Sequence, residues 1–169
     1  MEKKMRIAVY PGTFDPLTNG HVSLIVRGLD IFDEIIVGVA LHSSKNTLFD
    51  LDERVQMTRE IFEDNHRIRV EPFKGLLMDY VREKKAVAIL RGMRAVADFE
   101  YEFQMALMNR RLDRNIQTVF LMTEYKWLYI SSTIIKDVAR LGGNINGLVP
   151  LNVEKELNKK FKKSVQDES

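Results

Sequence analysis

Met5-Arg6-Ile7-Ala8-Val9-Tyr10-Pro11-Gly12-Thr13-Phe14-Asp15-Pro16-Leu17-Thr18-Asn19-Gly20-His21 changes its period midway, and that change decides the fold. Met5–Tyr10 is a compact apolar run, flanked by charge and stopped by Pro11-Gly12, and reads as a buried strand. From Asn19 onward, Val22, Ile25, Val26 and Leu29 follow helical spacing. A strand that turns through a tight loop into a helix presents the helix's free first-turn N–H groups, with their partial positive charge, beside the strand end. That is a phosphate site. Gly12 and Gly20 let the backbone turn and approach a ligand, Thr13 and Thr18 add hydroxyls, and His21 can donate from its ring. Taken singly, His21 reads equally as a surface histidine beside a turn. No G-x-G-x-x-G and no G-x-x-x-x-G-K-[ST] occurs, so the loop is neither a dinucleotide fingerprint nor a P-loop.

Working outward, strands and helices alternate. Glu34–Leu41 reads as a second buried strand, and Asp50 with Glu53 forms a capping box ahead of a helix. Arg67–Phe73, Ala86–Leu90 and Gln117–Met122 read as further strands, the fourth ended by Arg91-Gly92. Leu76–Lys84, Asp98–Leu112, Ser132–Leu141 and Asn152–Lys163 read as helices; Gly142-Gly143 closes the third of these. The long Asp98–Leu112 helix carries Phe99, Phe103, Met105 and Ala106, suited to an interface or to core. Continuous apolar strands alternating with amphipathic helices predict an α/β chain: a doubly wound, Rossmann-like, five-stranded parallel sheet with helices on both faces. We expect one domain over residues 1–169, with a basic, frayed tail from about 160. Ligands of such folds bind beyond the carboxyl ends of the strands.

Composition narrows the function classes. The 169 residues carry a formal charge of +2, too balanced for a protein that lives on nucleic-acid phosphates. No apolar run is long enough to span a membrane, and none resembles a signal peptide. The absence of cysteine removes disulfides and thiolate chemistry, and a cytoplasmic location is expected. His42 and His66 lack partners at metal-ligand spacing, so no protein metal cage is expected; Mg²⁺ would be held mainly by ATP phosphates and water.

The residues that follow the other strands suit anions as well. Lys45, beside Ser43, Ser44 and Asn46, places a compact cation near phosphates or is a solvated loop lysine. Arg91 and Arg94 flank Gly92 and offer fork-shaped contacts to phosphate, or pair with Asp98 and Glu100. Ser131, Ser132 and Thr133 open a helix, either as a second phosphate-binding start or as an N-cap. Tyr101 and Glu102 read as a surface pair, and Leu76 and Leu77 as core.

Together these segments carry a resemblance. Gly12-Thr13-Phe14-Asp15 with Thr18-Asn19-Gly20-His21 resembles the nucleotidyltransferase signature G-x-F-D-x-x-H-x-G-H. Thr18 stands for its first histidine, a departure typical of the bacterial phosphopantetheine adenylyltransferase family. Ser43–Lys45, Arg91–Glu102 and Trp127–Thr133 extend the similarity over nearly the whole chain. The resemblance implies transfer of the adenylyl group of ATP to 4′-phosphopantetheine in coenzyme A biosynthesis, with coenzyme A as feedback inhibitor and a homohexameric assembly. It implies catalytic roles for His21, Lys45, Arg94 and Thr13. It puts Thr13, Phe14, His21, Gly92, Met93, Arg94, Glu102, Trp127, Leu128, Tyr129, Ile130, Ser131, Ser132 and Thr133 at ATP. Thr13, Lys45, Leu77 and Arg91 fall to the acceptor, the segment at Leu76-Leu77 lining its pantetheine arm. The attacking phosphate oxygen is already anionic, so the reaction needs alignment and charge stabilisation rather than a general base. A histidine at a helix N-terminus has its cation disfavoured, so His21 is expected to act as a positioned N–H donor. Other readings are a pyridine mononucleotide adenylyltransferase, a class I aminoacyl-tRNA synthetase core, for which the chain lacks room, and a non-catalytic nucleotide sensor.

Overall fold

A computed structural model describes residues 5–41, 46–94 and 96–167. Its elements alternate as the sequence pattern predicts: β1 (Ile7–Gly12), α1 (Asn19–Gly28), β2 (Glu34–Ala40), α2 (Leu51–Ile61), β3 (Ile68–Phe73), α3 (Leu77–Glu83), β4 (Ala88–Met93), α4 (Val96–Leu112), β5 (Gln117–Met122), α5 (Ser132–Arg140) and α6 (Leu151–Asp167). All five strands pair in parallel, in the order β3-β2-β1-β4-β5. The chain therefore winds outward from β1 to β3, then returns to β4 on the other side of β1. No crossover covers the carboxyl ends of β1 and β4, and the crevice between them stays open for a ligand.

Both faces of the sheet are buried, which is why its strands read as apolar runs without alternation. Ala8, Tyr10, Ile35, Val37, Val39, Ala88 and Leu90 pack on one face with Leu24 and Ile25 of α1 and Val55 of α2. Val9, Ile36 and Ile89 face the other way, against Met78 and Val81 of α3. A further cluster joins Ile135 and Ala139 of α5, Val153 and Leu157 of α6 and Met57 of α2. On α1 the buried stripe is Leu24, Ile25 and Gly28, while Val26 faces solvent.

Two boundaries differ most from expectation. β4 runs through Arg91-Gly92 to Met93, because Arg91, Gly92 and Met93 pair in register with Phe120, Leu121 and Met122 of β5. Gly92 is needed there: a Cβ would lie 2.2 Å from Leu24 Cδ1, so its absence lets β4 meet α1. The last helix continues to Asp167, past Lys163. Phe161 packs on the cluster shared with α5, and Lys160 Nζ pairs with Glu53 at 2.8 Å. Leu157 is wholly buried in that cluster. Leu157→Ala should lower unfolding stability by about 2–5 kcal/mol in a urea titration, as cavity formation requires; a change within about 0.5 kcal/mol would mean that α6 does not contribute to the core.

Candidate active site

One cavity of about 560 Å³ opens at the crevice between β1 and β4. Its wall gathers residues distant in sequence: Thr13, Phe14 and His21 from the first junction, Arg91 and Gly92 at the end of β4 and Arg94 just after it, Glu102 on α4, Trp127, Ile130 and Ser131 ahead of α5, and Ser132 and Thr133 in its first turn. Met93, Leu128 and Tyr129 belong to the same segments but do not line it. Leu77 packs on the cluster under α3 instead. Lys45 lies outside the described residues; Asn46 and Thr47, which follow it, form part of the wall.

His21 is the third residue of α1, and Thr18 is the helix N-cap. The Thr18 backbone N–H donates to His21 Nδ1 at 3.0 Å, and the Thr18 hydroxyl lies 3.0 Å from the same nitrogen. This is a capping box with histidine in the place usually held by Glu or Gln. Nδ1 is thereby an acceptor, so the ring proton resides on Nε2, the nitrogen left for the cavity. Burial, then the nearby Arg94 and Arg91 guanidinium groups, lower the His21 pKa to about 4. Thr18 itself is 2% exposed, which gives the residue standing for the signature's first histidine a structural task.

Phe14 holds the imidazole from the side, edge to face at 5.4 Å between ring centroids. Phe14 adopts a φ of 48°, in the left-handed region. Its ring occupies the space a Cβ on residue 12 would need, 2.6 Å from Phe14 Cζ. Gly12 is glycine chiefly to admit that ring.

The arginines are engaged. Arg91 donates from Nε to Glu102 Oε2 at 2.8 Å, from Nη2 to Oε1, and from Nη1 to the Pro11 carbonyl at 3.1 Å. Desolvation opposes its charge, but the hydrogen bonds and attraction to Glu102 outweigh it and raise its pKa. The carboxylate it meets is Glu102 rather than Glu100. Two of its five N–H donors remain for a ligand. Arg94 donates to the Ile130 carbonyl at 3.1 Å and to Asp98 at 3.3 Å. At the start of α5, Ser131 Oγ accepts from Ile134 N at 3.1 Å as an N-cap, and Ser132 Oγ donates to the Pro16 carbonyl at 2.7 Å. Two helix N-termini, those of α1 and α5, thus reach one cavity.

Lys136 and Arg54, near the cavity, escaped the sequence reading, and Asp15 entered it only within the quoted signature. Lys136 lines the cavity and pairs with Asp15. It sits four residues after Ser132, so the helical period was the available signal. Asp15 also accepts from Leu48 N and Phe49 N, both at 3.0 Å. Arg54 is 2% exposed and donates to the carbonyls of Thr13 at 2.6 Å and Ala40 at 3.0 Å. An arginine on the buried face of α2, beside Val55 and Thr58, was its only signature.

An imidazole, guanidinium groups and two helix starts around one crevice of a doubly wound sheet suit a ligand that carries phosphates. The family model described as cytidylyltransferase-like matches residues 9–138. A phosphopantetheine adenylyltransferase of Nitratidesulfovibrio vulgaris is 63% identical over 160 residues, 95% of this chain and 86% of the relative. Those of Oleidesulfovibrio alaskensis and Lawsonia intracellularis are 65% and 57% identical, covering 92% and 90% of this chain and 92% and 88% of their own lengths. The chain belongs to the cytidylyltransferase-like family and, within it, to the phosphopantetheine adenylyltransferases.

The lowered His21 pKa carries a pH signature. Between about 4 and the ordinary 6.5 an unfolded histidine binds a proton that the folded one refuses. Stability from this group is therefore complete above 6.5 and is lost as pH falls toward 4. In the ligand-free protein, ¹⁵N shifts should show a neutral Nε2–H tautomer titrating near pH 4; a midpoint near 6.5 would contradict the environment described.

Proposed function

We propose that this chain joins ATP to 4′-phosphopantetheine at the β1/β4 crevice, acting as one nucleotidyltransferase unit over residues 1–169. The relatives bear that activity's name, and a single geometric observation supports it most: a tautomer-fixed imidazole N–H at a cavity that two helix N-termini share. An oxygen of the acceptor phosphate attacks the α-phosphorus, the bond to the β-phosphate bridging oxygen breaks, and pyrophosphate leaves. The nucleophile is anionic beforehand, so the site needs no base.

In this reading His21 Nε2–H faces the α-phosphate and stabilises the charge that builds there. Thr13 orients the acceptor phosphate, with Lys45 and the two remaining Arg91 N–H groups as its counter-charges. Arg94 and the start of α5 hold the β- and γ-phosphates. Glu102 fixes the Arg91 guanidinium beside the nucleotide. Gly92, Met93 and the Trp127–Thr133 segment, with Leu128, Tyr129 and Ile130, form the nucleoside side. The pantetheine arm runs past Leu77 towards a second cavity of about 600 Å³, whose apolar wall includes Leu41, Leu51, Phe73 and Leu76. Mg²⁺ would be held mainly by the ATP phosphates and water rather than by side chains of this chain, and would supply neutralisation of phosphate charge. Two of the cavity's carboxylates fit that division, since Asp15 and Glu102 are each buried and committed to a cation.

Phe99, Phe103, Met108 and Leu112 of α4 and Met122 of β5 are each at least 42% exposed. Phe99 and Phe103 stack at 5.5 Å, extending this apolar face. Such a face suits contact with further copies of the chain, and the homohexamer is the assembly the resemblance implies. Coenzyme A, which shares the pantetheine arm, acts as feedback inhibitor, and the cytoplasm is the expected location.

With ATP, 4′-phosphopantetheine should release pyrophosphate and a pyridine mononucleotide should not; release only with the latter would refute the substrate assignment. His21→Ala should lower kcat by about 10²–10³-fold while the ATP KM moves a few-fold, whereas a collapse in ATP affinity with kcat intact would exclude the assigned role. Light scattering should give six times the 19.7 kDa chain mass, and a monomer would remove the assembly proposal.

A further inference from the structure

Among the described residues, the cavity wall carries three cationic side chains and three carboxylates: Lys136, Arg91 and Arg94, with Asp15, Glu102 and Asp98. Each cation faces one carboxylate. A polyanion entering the site must therefore compete for them. The three pairs differ in how firmly they are held. Asp15 is 5% exposed and both its oxygens accept backbone N–H groups, from Phe49 and Leu48. Glu102 is 8% exposed and meets Arg91 through two nitrogens. These two pairs are fixtures, because opening either would strand a buried charge.

The Arg94–Asp98 pair is built differently. It rests on one contact of 3.3 Å between side chains that are 42% and 33% exposed. Arg94 is anchored independently, by its Nη1 hydrogen bond to the Ile130 carbonyl, so the guanidinium keeps its place if Asp98 lets go. Asp98 is four residues further along the chain, in the first turn of α4, so the contact opens and closes by side-chain rotation alone.

We propose that Asp98 is a placeholder anion for the nucleotide's terminal phosphates. It occupies Arg94 while the site is empty, yields it when the β- and γ-phosphates arrive, and takes it back as pyrophosphate leaves. This rests on the reading of Arg94 as a phosphate ligand. Asp98 thereby determines affinity: it weakens the grip on polyphosphate by the strength of one exposed ion pair and assists release of a highly charged product.

The test uses the full chain and calorimetric titration with ATP and, separately, with pyrophosphate. Asp98→Asn should tighten both by about two- to five-fold, the range set by an exposed pair of this kind. Arg94→Ala should weaken both, and adding Asp98→Asn to it should then change neither. If Arg94→Ala leaves ATP binding unaltered, the phosphate role of Arg94 fails and the placeholder fails with it. If Arg94→Ala weakens binding but Asp98→Asn alone leaves it unchanged or weakens it, the placeholder alone is overturned. Equal tightening by Asp98→Asn with and without Arg94 would show a general field effect of the removed charge, which also overturns it.

Discussion

A loop that offers its amides and hydroxyls to a polyanion cannot use those groups to hold itself. Thr18 spends its amide and hydroxyl on His21, and the rest of the segment from Gly12 is held largely from behind. Arg54, buried on α2, binds the carbonyls of Thr13, Ala40, Phe49 and Asp50, which ties the first loop to the end of β2 and the start of α2. Burial depresses its pKa, opposed by Asp15 and Asp50. Asp15 repeats the logic with opposite sign, accepting backbone N–H groups from residues 48 and 49 and pairing with Lys136 on α5. Buried charges are tolerated only when so fully solvated by the protein. Here that requirement makes them rigid struts, and the side of the loop facing the cavity is left free for a ligand.

What could be read in advance follows from how local each feature is. The Asp50/Glu53 capping box, the Gly142 helix stop and the five strands depend on neighbours a few residues apart, and the sequence displays them directly. The strand-to-helix junction was legible for the same reason, down to His21 in the first turn. Lys136 and Arg54 were not, because their partners lie 121 and 41 residues away and only the winding of the sheet brings them together. Gly12 shows a subtler limit. Its place in the motif was visible, but the Phe14 ring that excludes a side chain there depends on a left-handed turn that an aromatic residue seldom takes.

The long helix α4 illustrates an ambiguity of another kind. Its apolar residues wrap round the cylinder, so its pattern does not separate core from interface. In the fold it touches β5 and leaves Phe99, Phe103 and Met108 exposed while burying Glu102 and Asn109. Glu102 turns inward at the cavity wall, where it accepts from Arg91. A helix that puts its carboxylate inside and its phenylalanines outside is serving the site on one face. The other face supports the proposed contact with further copies.

The same division between fixed charge and neutral donor accounts for the chemistry asked of His21. In the proposed complex, phosphates beside the ring would pull its pKa upward from about 4, but protonating Nδ1 would first require Thr18 N–H to give up its acceptor. The cation is therefore opposed by geometry as well as by burial and the two arginines. In the proposed role Nε2 can donate to a phosphate oxygen whether or not Nδ1 is protonated, although the bond from the cation is the stronger one. The acceptor phosphate is another matter, since its second ionisation falls near pH ~6 and the dianion is the better nucleophile. A loss of turnover on mild acidification then belongs to the substrate rather than to the imidazole, and the enzyme's part is to keep its donor constant while the substrate's charge varies.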